Sequence, residues 1–139
     1  MGNHFFILED EIHKDGGFNN PPRPTILKIL KRHTLTIALD VEDAKKKYDP
    51  AAGYTHLLLD HDFEGWPNPD MSHPNCGLAF VQWLVKLKLP TPCPEVFLHS
   101  QNSKGRAAAH KLLTASGYKK VSHTPYGPEF IAMLSERFL

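Results

Sequence analysis

Short apolar runs that break abruptly into polar residues recur along the chain. His4 to Leu8 (HFFIL) gives way to Glu9-Asp10-Glu11, and Tyr54 to Leu59 (YTHLLL) gives way to Asp60-His61-Asp62. Such runs are too short to cross a membrane and read as strands buried on both faces. His33 to Leu39 is β-branched and alternating, and Glu95 to Leu98 (EVFL) is a compact apolar run ending at His99-Ser100. Tyr118 to Ser122 gives a weaker fifth strand.

Between these runs the spacing changes to a helical one. Pro24 or Thr25 starts a helix through TILKILKR, with Ile26, Leu27, Ile29 and Leu30 inward. Asp40 caps VEDAKKKY, with Asp43 three residues on. Gly77 to Leu87 carries Leu78, Val81, Leu84 and Val85 at helical spacing and stops near Pro90. A fourth helix runs from about Ser103 to Ser116 and is closed by Gly117, and Gly127-Pro128 opens the last, EFIAMLSERF. Strict strand-helix alternation predicts a parallel sheet with helices on both faces. Five such units fit the flavodoxin-like, three-layer α/β fold with strand order 2-1-3-4-5, a single domain over residues 1–139.

Composition narrows the ligand classes. With 139 residues, 41% hydrophobic, the chain can build one proper core. A formal net charge of +1 gives no broad footprint for a long nucleic-acid duplex or an anionic membrane, so small ligands are favoured. Two cysteines, Cys76 and Cys93, suggest neither a disulfide framework nor a thiolate zinc site. The start, MGNHFFILEDE, lacks the pattern of a signal peptide, and the expected setting is cytoplasmic.

In the expected topology the ligand crevice lies at the carboxyl ends of the first and third strands, where both acidic clusters fall. Glu9, Asp10, Asp60 and Asp62 would then converge, and packed carboxylates repel unless protonated or bridged by a cation. Hard oxygen donors suit Mg²⁺ or Mn²⁺. For any one acid, meeting solvent at a strand end is the plainer explanation; four at the switch point favour the metal. His61, His99 and His123 could reach the same rim, with His99 best placed for proton transfer and His123 equally readable as a loop residue. The turn HSQNSKGR offers Ser100, Asn102, Ser103, Lys104 and Gly105 to a phosphate at a helix start. The plainer reading of that turn is a helix capped by Ser103 with Lys104 and Arg106 in solvent. Phe18, Trp66 and Tyr126 sit in loops at the same sheet edge, where each could stack on a nucleobase or simply pack.

Several of these features together resemble the receiver superfamily, and more closely its offshoot, the cyclic-phosphate-processing receiver-like domain. They are the acidic pair Glu9-Asp10, the run Leu59-Asp60-His61-Asp62-Phe63, Gly77 ahead of Trp83-Leu84, and His99-Ser100 with Asn102 and Gly105. The resemblance implies a metal-dependent phosphoesterase acting on cyclic-phosphate or related small nucleotides, such as RNA-end products. The sequence departs from the family pattern in three places: Glu9 stands for an Asp, Cys76 for a Thr and Ser103 for a Pro. A phosphorelay receiver places Lys before Pro after its fifth strand, whereas Thr124 precedes Pro125 here.

The resulting expectation is one divalent cation held by Glu9, Asp10 and Asp60, with Asp62 as a further candidate, and acid and base roles shared by His99 and His61. Asp60 would also superpose on a receiver's phosphorylated aspartate, so a signalling module is the alternative. A catalytically silent nucleotide-sequestering protein is the third class.

Overall fold

The computed structural model describes residues 2–10, 12, 22–60, 76–100 and 102–139. Within them run β1 (His4–Leu8), α1 (Thr25–Leu30), β2 (Thr34–Ala38), α2 (Val41–Lys47), β3 (His56–Leu59), α3 (Gly77–Leu84), β4 (Glu95–Leu98), α4 (Ser103–Ala115), β5 (Val121–His123) and α5 (Pro128–Phe138). The strands pair in parallel in the order β2-β1-β3-β4-β5. This is the receiver-like, flavodoxin-like arrangement that the alternation predicts.

The pleat explains why the central strands are apolar throughout. Successive side chains leave a strand on opposite faces, so Phe6, Leu8, Leu57, Leu59, Val96 and Leu98 enter the core beneath α2, α3 and α4. Phe5, Ile7, Leu58 and Phe97 enter the core beneath α1 and α5. Leu58 is fully buried there, and burial of such a side chain contributes roughly 1.5–3 kcal/mol.

The boundaries differ from the sequence reading where local hydrogen bonding overrides the apolar pattern. β5 starts at Val121 rather than Tyr118, because the residues before it belong to the exit of α4. Gly117 N–H donates to the Thr114 carbonyl and Tyr118 N–H to that of Leu113, while Gly117 takes φ +104°. Tyr118 is consequently buried against the α2–α4 side of the sheet. β3 starts at His56, not Tyr54. α3 ends at Leu84, short of Leu87, as its closing bonds tighten, Lys86 N–H reaching Trp83 and Leu87 N–H reaching Leu84. Leu27 is only half-buried, the other three apolar residues of α1 being buried. The cap of α4 is Asn102, whose Oδ1 accepts from Gly105 N–H at 2.9 Å, and not Ser103.

Candidate active site

The register of the sheet puts the site together. Leu8 of β1 pairs with Leu59 of β3, and Leu59 with Leu98 of β4. One residue further on, each chain has just left the sheet, and the row reads Glu9, Asp60, His99. Leu8, Leu59 and Leu98 face α2–α4, so the pleat turns this next row toward α1 and α5. Backbone bonds hold the row in line, with Asp60 N–H donating to Leu8 and His99 N–H to Leu59.

All three side chains are buried. Each offers one ligand atom, and these atoms lie within 4.8 Å of one another. Among the described residues they form a group fit to hold a metal ion. In a six-coordinate shell with bonds of about 2.1 Å, adjacent ligand atoms stand about 3.0 Å apart and opposite ones about 4.2 Å, so the cluster contracts onto any cation it binds. The two carboxylates are hard donors of the kind that suits Mg²⁺ or Mn²⁺, and the imidazole of His99 stands close enough to serve as a third ligand or to move a proton.

Glu9 is the hub. His99 Nε2–H donates to its Oε1 at 3.0 Å, and Arg23 Nε donates to the same oxygen at 3.0 Å. The Arg23 guanidinium lies 3.5 Å from the centre of the Tyr126 ring, and Tyr126 N–H donates to the His99 carbonyl at 2.7 Å. The His99 ring is stacked on Phe130 of α5, 12° from parallel at a centroid distance of 5.4 Å. Its Nδ1 is buried and has no hydrogen-bond partner among the described residues. Burial pushes the Tyr126 phenol above its ordinary value, Arg23 opposing that shift.

On the opposite face a cavity of about 10 Å³, room for about one water, is lined by Asp60, Gly77, Ser100, Gly105 and Arg106. Asp60 therefore borders both the acidic cluster and this cavity. The turn after β4 is built by its own side chains: Asn102 N–H donates to Ser100 Oγ at 3.0 Å, and Arg106 NH1 to the Ser100 carbonyl at 2.6 Å.

Of the residues singled out from sequence, Glu9, Asp60 and His99 come together in one cluster. Asp10 is half-buried and stands outside the three-residue group. Ser100, Asn102 and Gly105 form the turn beside Asp60, whereas Ser103 and Lys104 are exposed on the first turn of α4. His123 ends β5 on the other face, exposed, its ring 4.7 Å from that of His110 on α4. Burial and, after it, His110 and Arg106 hold its pKa below the ordinary imidazole value. His61, Asp62, Trp66 and Phe18 lie outside the described residues. One cation escaped the sequence reading. Arg23 sits in a Pro-rich stretch with no motif, its only signal being its position between an acidic strand end and a helix start. Arg106, left in solvent by the plainer reading of its turn, closes back on the Ser100 carbonyl.

A family model described as the cyclic-phosphate processing receiver domain matches residues 8–115, most of the chain and all three residues of the row. The chain belongs to this family. As a cyclic-phosphate processing receiver domain it also shares its fold with solved structures of low sequence identity. One is the adenylate cyclase from Rhodopirellula baltica, 12% identical with a TM-score of 0.56, covering 99% of this chain and 90% of the other. Another is a yeast trimeric coiled-coil segment fused to another structure, 14% identical with a TM-score of 0.56, covering 98% of this chain and 76% of the other. At such identities the likeness is one of fold. No curated protein matches this receiver domain in sequence.

Proposed function

We propose that this receiver domain is a metal-dependent phosphoesterase acting on cyclic-phosphate or related small nucleotides, including RNA-end phosphates. The observation that carries the reading is the convergence of Glu9, Asp60 and His99 in one buried group at the carboxyl edge of the sheet. Membership of the cyclic-phosphate processing family supports the substrate class.

Glu9 and Asp60 would hold one divalent cation, Mg²⁺ or Mn²⁺, with Asp10 and Asp62 as further candidates for the coordination sphere, while His99 beside them keeps its Nε2 proton on Glu9 for transfer. When bound, the cation would supply charge neutralisation at a phosphate oxygen and lower the pKa of a coordinated water. Glu9 accepts the Nε2 proton of His99 and so fixes the ring's tautomer and orientation. Arg23 offsets the negative charge of Glu9 and, seated on Tyr126, keeps that carboxylate aimed at the cluster. Asn102 and the first turn of α4 present Ser100 and Gly105 beside Asp60, where phosphate oxygens would be held. His61, next to Asp60 in sequence, is the second candidate for proton transfer, with His99 or His61 as base and the other as acid.

A signalling module phosphorylated on Asp60 is the second reading, favoured by the place of Asp60 at the end of the central strand. Thr124 before Pro125 speaks against it, since no lysine stands there to pair with an acyl phosphate. A silent nucleotide-sequestering protein is the third.

Incubation with small cyclic nucleotides, with and without Mg²⁺ or Mn²⁺, tests the first reading. Turnover should require metal and fall at least about 100-fold in Asp60→Asn and in His99→Ala. Unchanged turnover in either variant would sink the mechanism. Labelling by acetyl phosphate that vanishes in Asp60→Asn would favour the signalling module, and binding without turnover under every metal the sequestering one.

A further inference from the structure

The row of polar residues does not stop at His99. Leu98 of β4 pairs with His123 of β5, so the residue level with His99 on the next strand is Thr124, whose N–H donates to the Leu98 carbonyl at 3.0 Å. The alternation along β5 agrees: Val121 packs with the α2–α4 core, His123 meets His110 of α4, and Thr124 turns to the α5 face as His99 does. Thr124 Oγ1 is buried and, like His99 Nδ1, has no hydrogen-bond partner among the described residues. Two unsatisfied polar atoms thus stand on neighbouring positions of neighbouring strands.

Leaving such atoms unpaired is costly, about 1–3 kcal/mol each, and buried polar groups in folded proteins are nearly always satisfied by protein or by ordered water. The His99 ring cannot reorient far. His99 is held at Nε2 by Glu9 and across its face by Phe130. Parallel strands run about 4.8 Å apart, too wide for a direct bond between two upright side chains and suited to one bridging water.

We propose that Thr124 is a positioning residue of the site, its hydroxyl joined through one ordered water to Nδ1 of His99. The water completes the hydrogen bonding of the imidazole, whose other nitrogen faces Glu9, and so fixes the ring within the cluster. A metal-ligating or proton-transferring histidine depends on such a partner at its second nitrogen, and losing one costs about 10- to 100-fold in metal affinity or activity. The functional consequence rests on the phosphoesterase reading; the water and its two partners do not.

The test compares the full chain with Thr124→Val, of the same shape without the hydroxyl, and Thr124→Ser, which keeps it. High-resolution crystal structures of the wild type and Thr124→Ser should show one water within hydrogen-bond distance of both the hydroxyl and Nδ1, lost in Thr124→Val. Without metal, Thr124→Val should melt about 3 °C below the wild type despite its greater apolarity, because His99 Nδ1 is then stranded. Mn²⁺ affinity, read by electron paramagnetic resonance, should fall about 10-fold in Thr124→Val and return in Thr124→Ser. A Thr124→Val protein that melts at or above the wild-type temperature, or a wild-type crystal with no water at that place, overturns the proposal. If no variant binds Mn²⁺ while the water and the melting difference persist, the positioning of His99 stands and the metal reading falls.

Discussion

Glu9 is fully buried and accepts from both an imidazole and a guanidinium on one oxygen. Its carboxylate is tolerable in the interior only because cations and donors face it, and breaking a buried pair by removing one partner costs about 3–5 kcal/mol. Arg23→Met keeps the apolar stem and deletes the charge, so it should destabilise the apo protein by about 3 kcal/mol. A bound divalent cation would restore the missing positive charge beside Glu9. Added Mn²⁺ should therefore raise the melting temperature of Arg23→Met by more than it raises that of the wild type, in fluorimetric melts with and without MnCl₂. Equal shifts in both proteins would mean that the cation does not reach Glu9. The same logic explains why Arg23 carries no sequence signature. Its importance comes from where α1 begins relative to the end of β1, a tertiary relation that no local spacing encodes.

The elements themselves were largely legible, because this fold writes its core in short apolar runs. β1 and β4 lie where the sequence reading puts them, and α2 starts behind Asp40, whose side chain accepts from Asp43 N–H at 2.8 Å. Five strand-helix units fit the observed strand order. What the pattern does not give is the handover between elements, and the exit of α4 shows why. Tyr118 is apolar and follows a glycine, so it reads as the start of a strand, but its N–H is spent on the Leu113 carbonyl. The turn depends on Gly117, at φ +104°, where an added Cβ would approach Leu89 Cδ2 to 2.9 Å. Gly117→Ala should accordingly cost about 1–2 kcal/mol, from the left-handed backbone and the displaced leucine together. Chemical denaturation would read it as a lower midpoint with an unchanged slope, and a midpoint equal to the wild type would show that the turn relaxes without strain. The site was legible to the extent that its residues end strands: Glu9, Asp60 and His99 were marked by the break from apolar to polar. Arg23 and Thr124 were not, since they arrive from the turn ahead of α1 and the exit of β5 through register and packing.

Across the whole molecule, acid should loosen the fold well before ordinary carboxylates protonate. His56 opens β3 on the face opposite the α2–α4 core, stacked between the rings of Phe5 and Phe97 at 4.7 and 6.1 Å. Burial pushes its pKa down to about 4, with Glu95 opposing that shift. An unfolded histidine takes its proton near pH 6.5. Between about pH 6.5 and 4 the unfolded chain therefore binds more protons than the folded one, and stability falls as the pH falls through that window. The loss should amount to roughly 3 kcal/mol by pH 4. Glu95, held below the usual carboxylate range by its hydrogen bonds to Arg137, adds a loss of the same sign as the pH falls further. Urea titrations at pH 7, 5.5 and 4.5 should show the decline, and His56→Phe should flatten it between pH 6.5 and 4.5. An identical slope in both proteins would place the acid sensitivity elsewhere. No helix among the described residues is long and apolar enough to cross a membrane.

The row from Glu9 through Asp60 and His99 to Thr124 takes the residue that follows each of four different strands. No two of them share an element, and each faces its neighbours only while every strand keeps its pairing, because a slip of one position sends a side chain to the other side of the sheet. The group is thus a coincidence detector for folding. It comes into being when the last strand docks and not before, and a single residue inserted into any one of β1, β3, β4 or β5 would erase it while leaving every other element free to form.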